Sequence, residues 1–256
     1  MPSWDARQYL EFTDERTQPC RDLVARIALK NPGRIVDLGC GPGNSTEVLM
    51  ERWPEAKILG LDSSADMIAT AKKTHPDREW QVADIAAWRA FERCDLAFSN
   101  AALQWVPDHA ALYPRLLQQV APGGALAVQV PANLDAPAHV RMRELAASPA
   151  WRGHFPQKVR EWFVHDAGFY FDRLAPLSQG IELWTTEYLH VLPGPQAIVD
   201  WYNGTGLRPF LDLLTQPADR EKFLRDYLAL VSVDYPMQSS GQLLFPFRRL
   251  FLIAYR

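Results

Sequence analysis

Between Arg34 and Val130 short apolar runs alternate with helix-length amphipathic segments, a pattern that predicts βαβ units and a parallel sheet. Strands are expected over Ile35–Leu38, Lys57–Leu61, Glu79–Val82, Cys94–Ser99 and Ala125–Val130. Helices are expected from Ser45 or Thr46 to about Arg52, from Ala65 to Lys73 and from His109 to Val120. Trp53-Pro54 and His75-Pro76 stop the first two, because the residue before a proline is pushed out of helical geometry. Asp62-Ser63-Ser64 supplies N-cap side chains for the second, and Pro122-Gly123-Gly124 reads as a turn after the third.

Beyond Pro131 the regularity loosens, with Pro137, Pro149, Pro156, Trp151, Trp162 and Trp184 spread through apolar helical stretches. Glu182–Leu192 alternates like a strand, Pro195–Gly206 and Asp219–Tyr235 read as helices, and Leu250–Tyr255 reads as a last strand. That makes a doubly wound, mostly parallel α/β sheet of seven strands carrying a helical insertion. With no internal repeat, linker or low-complexity tract, one domain over residues 1–256 is expected. Within it, residues 1–30 form an N-terminal helical cap, 31–134 the ligand-binding core, and 135–256 a lid with the remaining strands.

Composition narrows the function. At 256 residues, 48% apolar and 22% charged, the chain is long enough to bury a large core. Its 27 Lys and Arg are mixed with 30 Asp and Glu, so no basic surplus is available for nucleic acid. Cys20, Cys40 and Cys94 are odd in number and far apart, without a C-x-x-C pair, which argues against a disulfide framework or a zinc site. No apolar run approaches the roughly 20 residues of a membrane span, and the first residues lack the basic start and apolar stretch of a secretory signal. A cytoplasmic location is expected, with no obligatory protein partner.

The chemistry is concentrated in Val36-Asp37-Leu38-Gly39-Cys40-Gly41-Pro42-Gly43, a strand that runs into three alternating glycines and then a helix. Such a turn brings backbone N–H groups close to a ligand, since glycine has no Cβ and tolerates positive φ. The dinucleotide fingerprint G-x-G-x-x-G is not met, because Asn44 occupies the place of its last glycine. Asp62, ending the second strand, is placed to accept hydrogen bonds from both hydroxyls of a ribose lying across the strand tips. Taken singly these residues have plain alternatives: a tight connection for the glycines, a helix cap for Asp62, core packing for Met67. Together, in order at successive strand ends, they indicate a nucleoside-bearing ligand.

The G-x-G-x-G spacing resembles the first motif of the class I methyltransferases that use S-adenosylmethionine and release S-adenosylhomocysteine. The resemblance implies a Rossmann-like methyltransferase sheet. It also implies cofactor contacts at Asp37, Gly39, Gly41 and Gly43, at Asp62 with Ser63, at Met67 against the adenine, at Asp84 with Ile85 near the adenine amino group, and at Asn100 on the fourth strand's tip. Asn100 to His109, Ala127 to Pro131 and Thr205 to Pro209, with Trp4, Tyr9, Phe12 and Arg16 at the start, are similar to the trans-aconitate methyltransferase family. Residues from about Asp135 to Gly180 match that family less well.

This second resemblance implies methyl transfer to a carboxylate oxygen of a small tricarboxylic acid, giving a monomethyl ester. A carboxylic acid with a pKa near 4 is already ionised at neutral pH, so no general base is nominated. Trp4, Tyr9 and Phe12 are candidates to close over the site, and Gln104, Trp105, His109, Trp201, Arg208 and Arg248 to meet the acid. Their plain readings are surface ion pairing for the arginines, core packing for Trp105 and Trp201, and a helix start for His109. Another methyl acceptor, a noncatalytic nucleoside-binding module and a nicotinamide oxidoreductase are the alternatives; the glycine spacing counts against the last.

Overall fold

The computed structural model describes residues 13–155, 159 and 162–256. Helix α1 (Thr13–Arg26) leads into β1 (Arg34–Leu38), α2 (Asn44–Arg52), β2 (Lys57–Asp62), α3 (Ala65–Thr74), β3 (Glu79–Val82), β4 (Cys94–Asn100), α4 (His109–Gln118) and β5 (Val120–Pro131). There follow α5 (Pro137–Ala147), α6 (Ala167–Leu174), β6 (Gly180–Leu192), α7 (Pro195–Asn203), α8 (Arg208–Leu211), α9 (Pro217–Asp234) and β7 (Leu243–Tyr255). The strands form one seven-stranded sheet in the order β3-β2-β1-β4-β5-β7-β6. β1 pairs in parallel with β2 and β4, β2 with β3, and β4 with β5, while β7 runs antiparallel to β5. The doubly wound reading therefore holds, and the strand order reverses between β1 and β4, where strand tips diverge and leave a crevice.

Side-chain alternation explains the two faces. Registers place Val36, Leu38, Ala97, Val128, Leu250 and Leu252 on one face, where they join Leu112, Tyr113, Leu116 and Tyr170 in the main buried cluster. Asp37, Phe98, Asn100, Gln129, Arg249 and Phe251 share the opposite face. The central strands are buried on both sides, as parallel strands covered by helices must be.

Three boundaries differ from expectation by three residues or more. β5 begins at Val120 and absorbs the expected Pro122-Gly123-Gly124 turn, because the Gly123 N–H donates to the Arg256 carbonyl (2.6 Å) and Gly124 accepts from the Arg256 N–H (2.9 Å). The register of β4 against β5 shifts there, between Cys94 and Leu96. β7 starts at Leu243, seven residues before the expected Leu250, with the buried–exposed alternation carried through Phe245 and Phe247. α7 ends at Asn203 where Pro195–Gly206 was expected, and Thr205 and Leu207 send their N–H groups back to the Tyr202 carbonyl.

The chain divides into two compact units, one made of residues up to Ala132 with Phe163–Thr186 and Arg249–Arg256, the other of Asn133–Trp162 and Glu187–Arg248. In the second, α5 and α7 pack on α9, Tyr227 donates to the Ala138 carbonyl at 3.1 Å, and Arg141 pairs with Asp234 at 2.7 Å. Cys20, Cys40 and Cys94 are buried free thiols. Among the described residues no helix is long and apolar enough to cross a membrane, and no group of His, Cys, Asp or Glu could hold a metal ion.

Candidate active site

The glycine turn follows β1 at the switch point. Gly39, Gly41 and Gly43 take φ of 78°, 55° and 107°, all in the left-handed region. The N–H groups of Gly39 and Cys40 both donate to the Leu61 carbonyl, at 2.7 and 3.0 Å, which ties the turn to β2. The first two glycines are required for different reasons. A Cβ on Gly39 would lie 2.2 Å from the Ala102 Cβ, whereas a Cβ on Gly41 would meet nothing within 4 Å. Gly39 is thus demanded by packing, and Gly41 leaves open space beside its backbone.

Asp62 braces that turn: its Oδ2 accepts from the Gly41 N–H at 3.0 Å and its Oδ1 from the Ser64 N–H at 2.8 Å. Burial pushes the Asp62 carboxyl above its ordinary pKa, while the N–H groups of Ser64, Gly41 and Ser63 pull the other way. An ionised carboxylate offers about four acceptor positions, so these two bonds leave capacity for further donors. Ser63 is exposed, and Met67 is buried in the first turn of α3 with its N–H on the Ser64 side chain. Asp84 is exposed and accepts from the Ala86 N–H at 2.9 Å. Ile85 is buried with its Cδ1 3.6 Å from the position of a Gly39 Cβ.

Asp37 serves a different purpose from the contact expected. It is fully buried, and its Oδ2 accepts from Ser45 Oγ and Thr46 Oγ1, both at 2.7 Å. Its side chain fastens the start of α2 to β1, so it shapes the turn from beneath. Burial pushes its carboxyl up to about 6, against the lowering effect of the two hydroxyls.

The loop after β4 closes the other side of the crevice. Ala101 takes a left-handed φ of 53°, a strained conformation for a residue with a Cβ, and its N–H donates to the Gln129 carbonyl at 2.9 Å. Gln104 is buried and donates through Nε2 to the Ala101 carbonyl at 2.7 Å. Asn100 Oδ1 and Gln104 Oε1 are buried acceptors without a hydrogen-bond partner. Trp105 is half-buried in the same turn.

His109 corrects an expectation. It is buried, with Nε2 2.9 Å from the Leu103 carbonyl and Nδ1 2.8 Å from Tyr170 Oη, so both ring nitrogens are committed within the protein. A neutral imidazole with both nitrogens engaged has nothing to offer a substrate; it fixes the loop that carries Gln104.

Three candidates fall in the second unit. Trp201 is 2% exposed among His190, Phe245 and Phe247, the packing alternative weighed for it. Arg208 Nε lies 3.8 Å from Asp212 Oδ2, and Arg248 Nη2 holds both oxygens of Asp135 at 2.6 and 2.8 Å on the surface. Trp4, Tyr9 and Phe12 lie outside the described residues. Sequence reasoning missed Gln129 and Arg249, which are 0% and 4% exposed, the first near the end of β5 and the second in the middle of β7. The signal that finds them is the alternation of β7, which turns Arg248 outward and Arg249 inward.

The donor set fits S-adenosylmethionine. Its ribose hydroxyls and ammonium group are hydrogen-bond donors; the Asp62 carboxylate has acceptor capacity left, Asn100 Oδ1 and Gln104 Oε1 are acceptors without a partner, and the Gly41 backbone has open space beside it.

Comparison with known proteins agrees. The methyltransferase domain family matches residues 12–174. The chain is 47% identical over 256 residues to a trans-aconitate 2-methyltransferase of Azoarcus sp. strain BH72, covering 100% of both chains. It is 44% identical over 258 residues to the enzyme of that name in Escherichia coli, covering 100% of this chain and 99% of the relative. Among solved structures, the YcgJ protein of Bacillus subtilis shares the fold with a TM-score of 0.61 at 13% identity, covering 93% of this chain and 99% of that one. A Haemonchus contortus phosphoethanolamine N-methyltransferase in complex with S-adenosyl-L-methionine gives a TM-score of 0.55 at 15% identity, over 93% of this chain and 52% of that one. The chain belongs to the S-adenosylmethionine-dependent methyltransferase family, among the trans-aconitate 2-methyltransferases.

Proposed function

We propose that the protein esterifies trans-aconitate, or a tricarboxylic acid close to it, by moving a methyl group from S-adenosylmethionine to one carboxylate oxygen. The observation that carries the choice of acceptor is the 47% identity that runs over the full length of both chains. When bound, S-adenosylmethionine supplies an electrophilic methyl group on a sulfonium centre. The chain's task is placement. Asp62 accepts the ribose hydroxyls with the acceptor capacity that Gly41 and Ser64 leave, and Asp37 with Ser45 and Thr46 keeps the turn in shape from below.

The nucleophile arrives ionised, so no residue has to remove a proton, and none is assigned as a base. Orientation alone can lower a barrier by roughly 7–11 kcal/mol, which is ample work for a rigid crevice. Anion and cation also neutralise each other during transfer, so a water-poor lining favours the reaction over solution. Gln104 and Trp105, held by the His109 and Ala101 contacts, are the residues of the first unit assigned to face the acid. Arg208 and Arg248, the cations expected for the other carboxylates, are tied to Asp212 and Asp135.

The test is incubation of the pure protein with methyl-labelled S-adenosylmethionine and a panel of di- and tricarboxylic acids. Base-labile label in trans-aconitate is the expected result. Label confined to another class of acceptor, or absent from every acid, overturns the assignment.

A further inference from the structure

We propose that the Gln129 side chain donates to the carboxylate that takes the methyl group, an inference that rests on the function proposed above. Gln129 lies two residues before the end of β5 and stands in register with Asn100, the last residue of β4. Neighbouring strands run about 4.8 Å apart and residues in register share a face, so the two amides stand side by side at adjacent strand tips. Asn100 is half-buried, so the crevice reaches this point of the sheet.

The atoms left over on the two amides are complementary. Asn100 Oδ1 is a buried acceptor and Gln129 Nε2 a buried donor, and neither has a hydrogen-bond partner. Arg249 decides which way round the Gln129 amide sits. Gln129 Oε1 lies 3.5 Å from Arg249 Nη1, and a guanidinium has only donors, so the oxygen faces it and the nitrogen is turned away. Arg249 is itself engaged within the protein, and its part here is to orient the amide. A buried N–H without a partner destabilises the chain that carries it, and a ligand that accepts from it recovers the loss on binding. An ionised carboxylate has only acceptors, so the free oxygen of Asn100 repels it and the N–H of Gln129 attracts it. The same Asn100 oxygen suits a donor of the cofactor, and the register of β4 with β5 then sets acid and cofactor side by side.

A neutral donor serves the reacting carboxylate better than a cation. One oxygen bonds to the methyl carbon while the carbon–sulfur bond gives its electron pair to sulfur, so the charge of that carboxylate disappears and its other oxygen becomes the ester carbonyl. This second oxygen accepts from Nε2 before, during and after transfer, whereas the attraction of a guanidinium fades as the charge is cancelled. The bond orients the acid without opposing the reaction, and the attacking oxygen is left to face the methyl group.

Two substitutions separate this contact from a mere strut for Arg249. Gln129→Met keeps the length and loses both the amide oxygen and the N–H. Gln129→Glu keeps an oxygen for Arg249 and replaces the N–H with a second oxygen that repels the acid. Circular dichroism and calorimetric titration are expected to show the parent fold and S-adenosylhomocysteine affinity in both. Each variant is expected to lower kcat/KM for trans-aconitate, and to weaken its calorimetric binding in the presence of S-adenosylhomocysteine, by about tenfold or more. Either variant within about twofold of the parent overturns the proposal, as does a loss of S-adenosylhomocysteine affinity equal to the loss of acid affinity. A crystal structure of the unsubstituted protein with S-adenosylhomocysteine and trans-aconitate reads the contact directly, even where a variant fails to fold. A carboxylate oxygen about 3 Å from Nε2 is expected, and an acid with every oxygen beyond about 4 Å overturns the proposal. Failure of the unsubstituted protein to esterify any acid overturns the function itself and this contact with it; esterification that both variants carry out as the parent does overturns the contact alone.

Discussion

The Gly41 N–H donates to Asp62 Oδ2 at 3.0 Å, so the carboxylate at the end of β2 holds the glycine turn at the end of β1. One side chain thus braces the turn and is also the acceptor assigned to the cofactor. Asp62→Ala removes both functions and Asp62→Asn keeps one oxygen for them. Bonds to a charged group are worth roughly 1.5–3 kcal/mol, so Asp62→Ala should weaken S-adenosylhomocysteine binding by about tenfold to a hundredfold. Asp62→Asn should fall between the two in a calorimetric titration; an Asn variant that binds like the parent would remove the charge from the account.

Gly39 and Gly41 should separate stability from binding. A Cβ at Gly39 collides with Ala102 at 2.2 Å and sits at φ 78°, so Gly39→Ala should lower the unfolding free energy by several kcal/mol. At Gly41 the penalty is only that of a left-handed alanine, about 1–2 kcal/mol, because nothing lies within 4 Å. Its methyl enters the open space, so Gly41→Ala should fold and bind S-adenosylhomocysteine poorly. Denaturant unfolding and calorimetry on both variants check the split, which an equal loss of stability would contradict.

Much of this was legible in the sequence because it is local. The strand, the glycine spacing and Asp62 lie within residues 34–62, and backbone sterics dictate the turn wherever alanine cannot follow. Arg249 was not legible, because the phase of a strand is fixed by its whole length and β7 was expected only from Leu250. Nor was the setting of Trp201, whose neighbours His190, Phe245 and Phe247 come from β6 and β7, remote in the chain. α5 escaped because its Ala136 cap makes no side-chain bond, leaving only Pro137 as a start signal.

Asp37 should give the protein a mild acid preference. Its carboxyl is pushed up to about 6, first by burial, so the folded state holds the proton more tightly than the unfolded chain, whose aspartate titrates near 4. Stability from this group is present below pH 4 and declines as pH rises to about 6, by on the order of 3 kcal/mol, after which it is flat. Asp37→Asn should erase that decline. Urea midpoints for both proteins at pH 4.5, 5.5 and 7 measure the difference, and parallel curves would place the proton elsewhere.

His109 supports a prediction of opposite sign. A carbonyl can only accept, so Nε2 carries the hydrogen toward Leu103, and Nδ1 must accept from the Tyr170 hydroxyl. Tyr170 Oη in turn accepts from the His165 N–H at 3.2 Å, which closes a directed chain from α6 to the loop bearing Gln104. Burial lowers the His109 pKa, and the Leu103 bond opposes that only in part. A depressed folded pKa means that the contribution is complete above about pH 6.5 and is lost as pH falls below it. His109→Phe and Tyr170→Phe each break the same chain, so their costs, about 1–3 kcal/mol apiece, should not add. A double-mutant cycle by urea unfolding at pH 7.5 should show coupling of about 0.5 kcal/mol or more, and amide exchange at Gln104 and Trp105 should quicken in both single variants. Full additivity would mean that the imidazole and the phenol act independently, and the loop would then owe its place to its other ties, such as the Phe163 N–H on the Gln104 carbonyl at 2.8 Å.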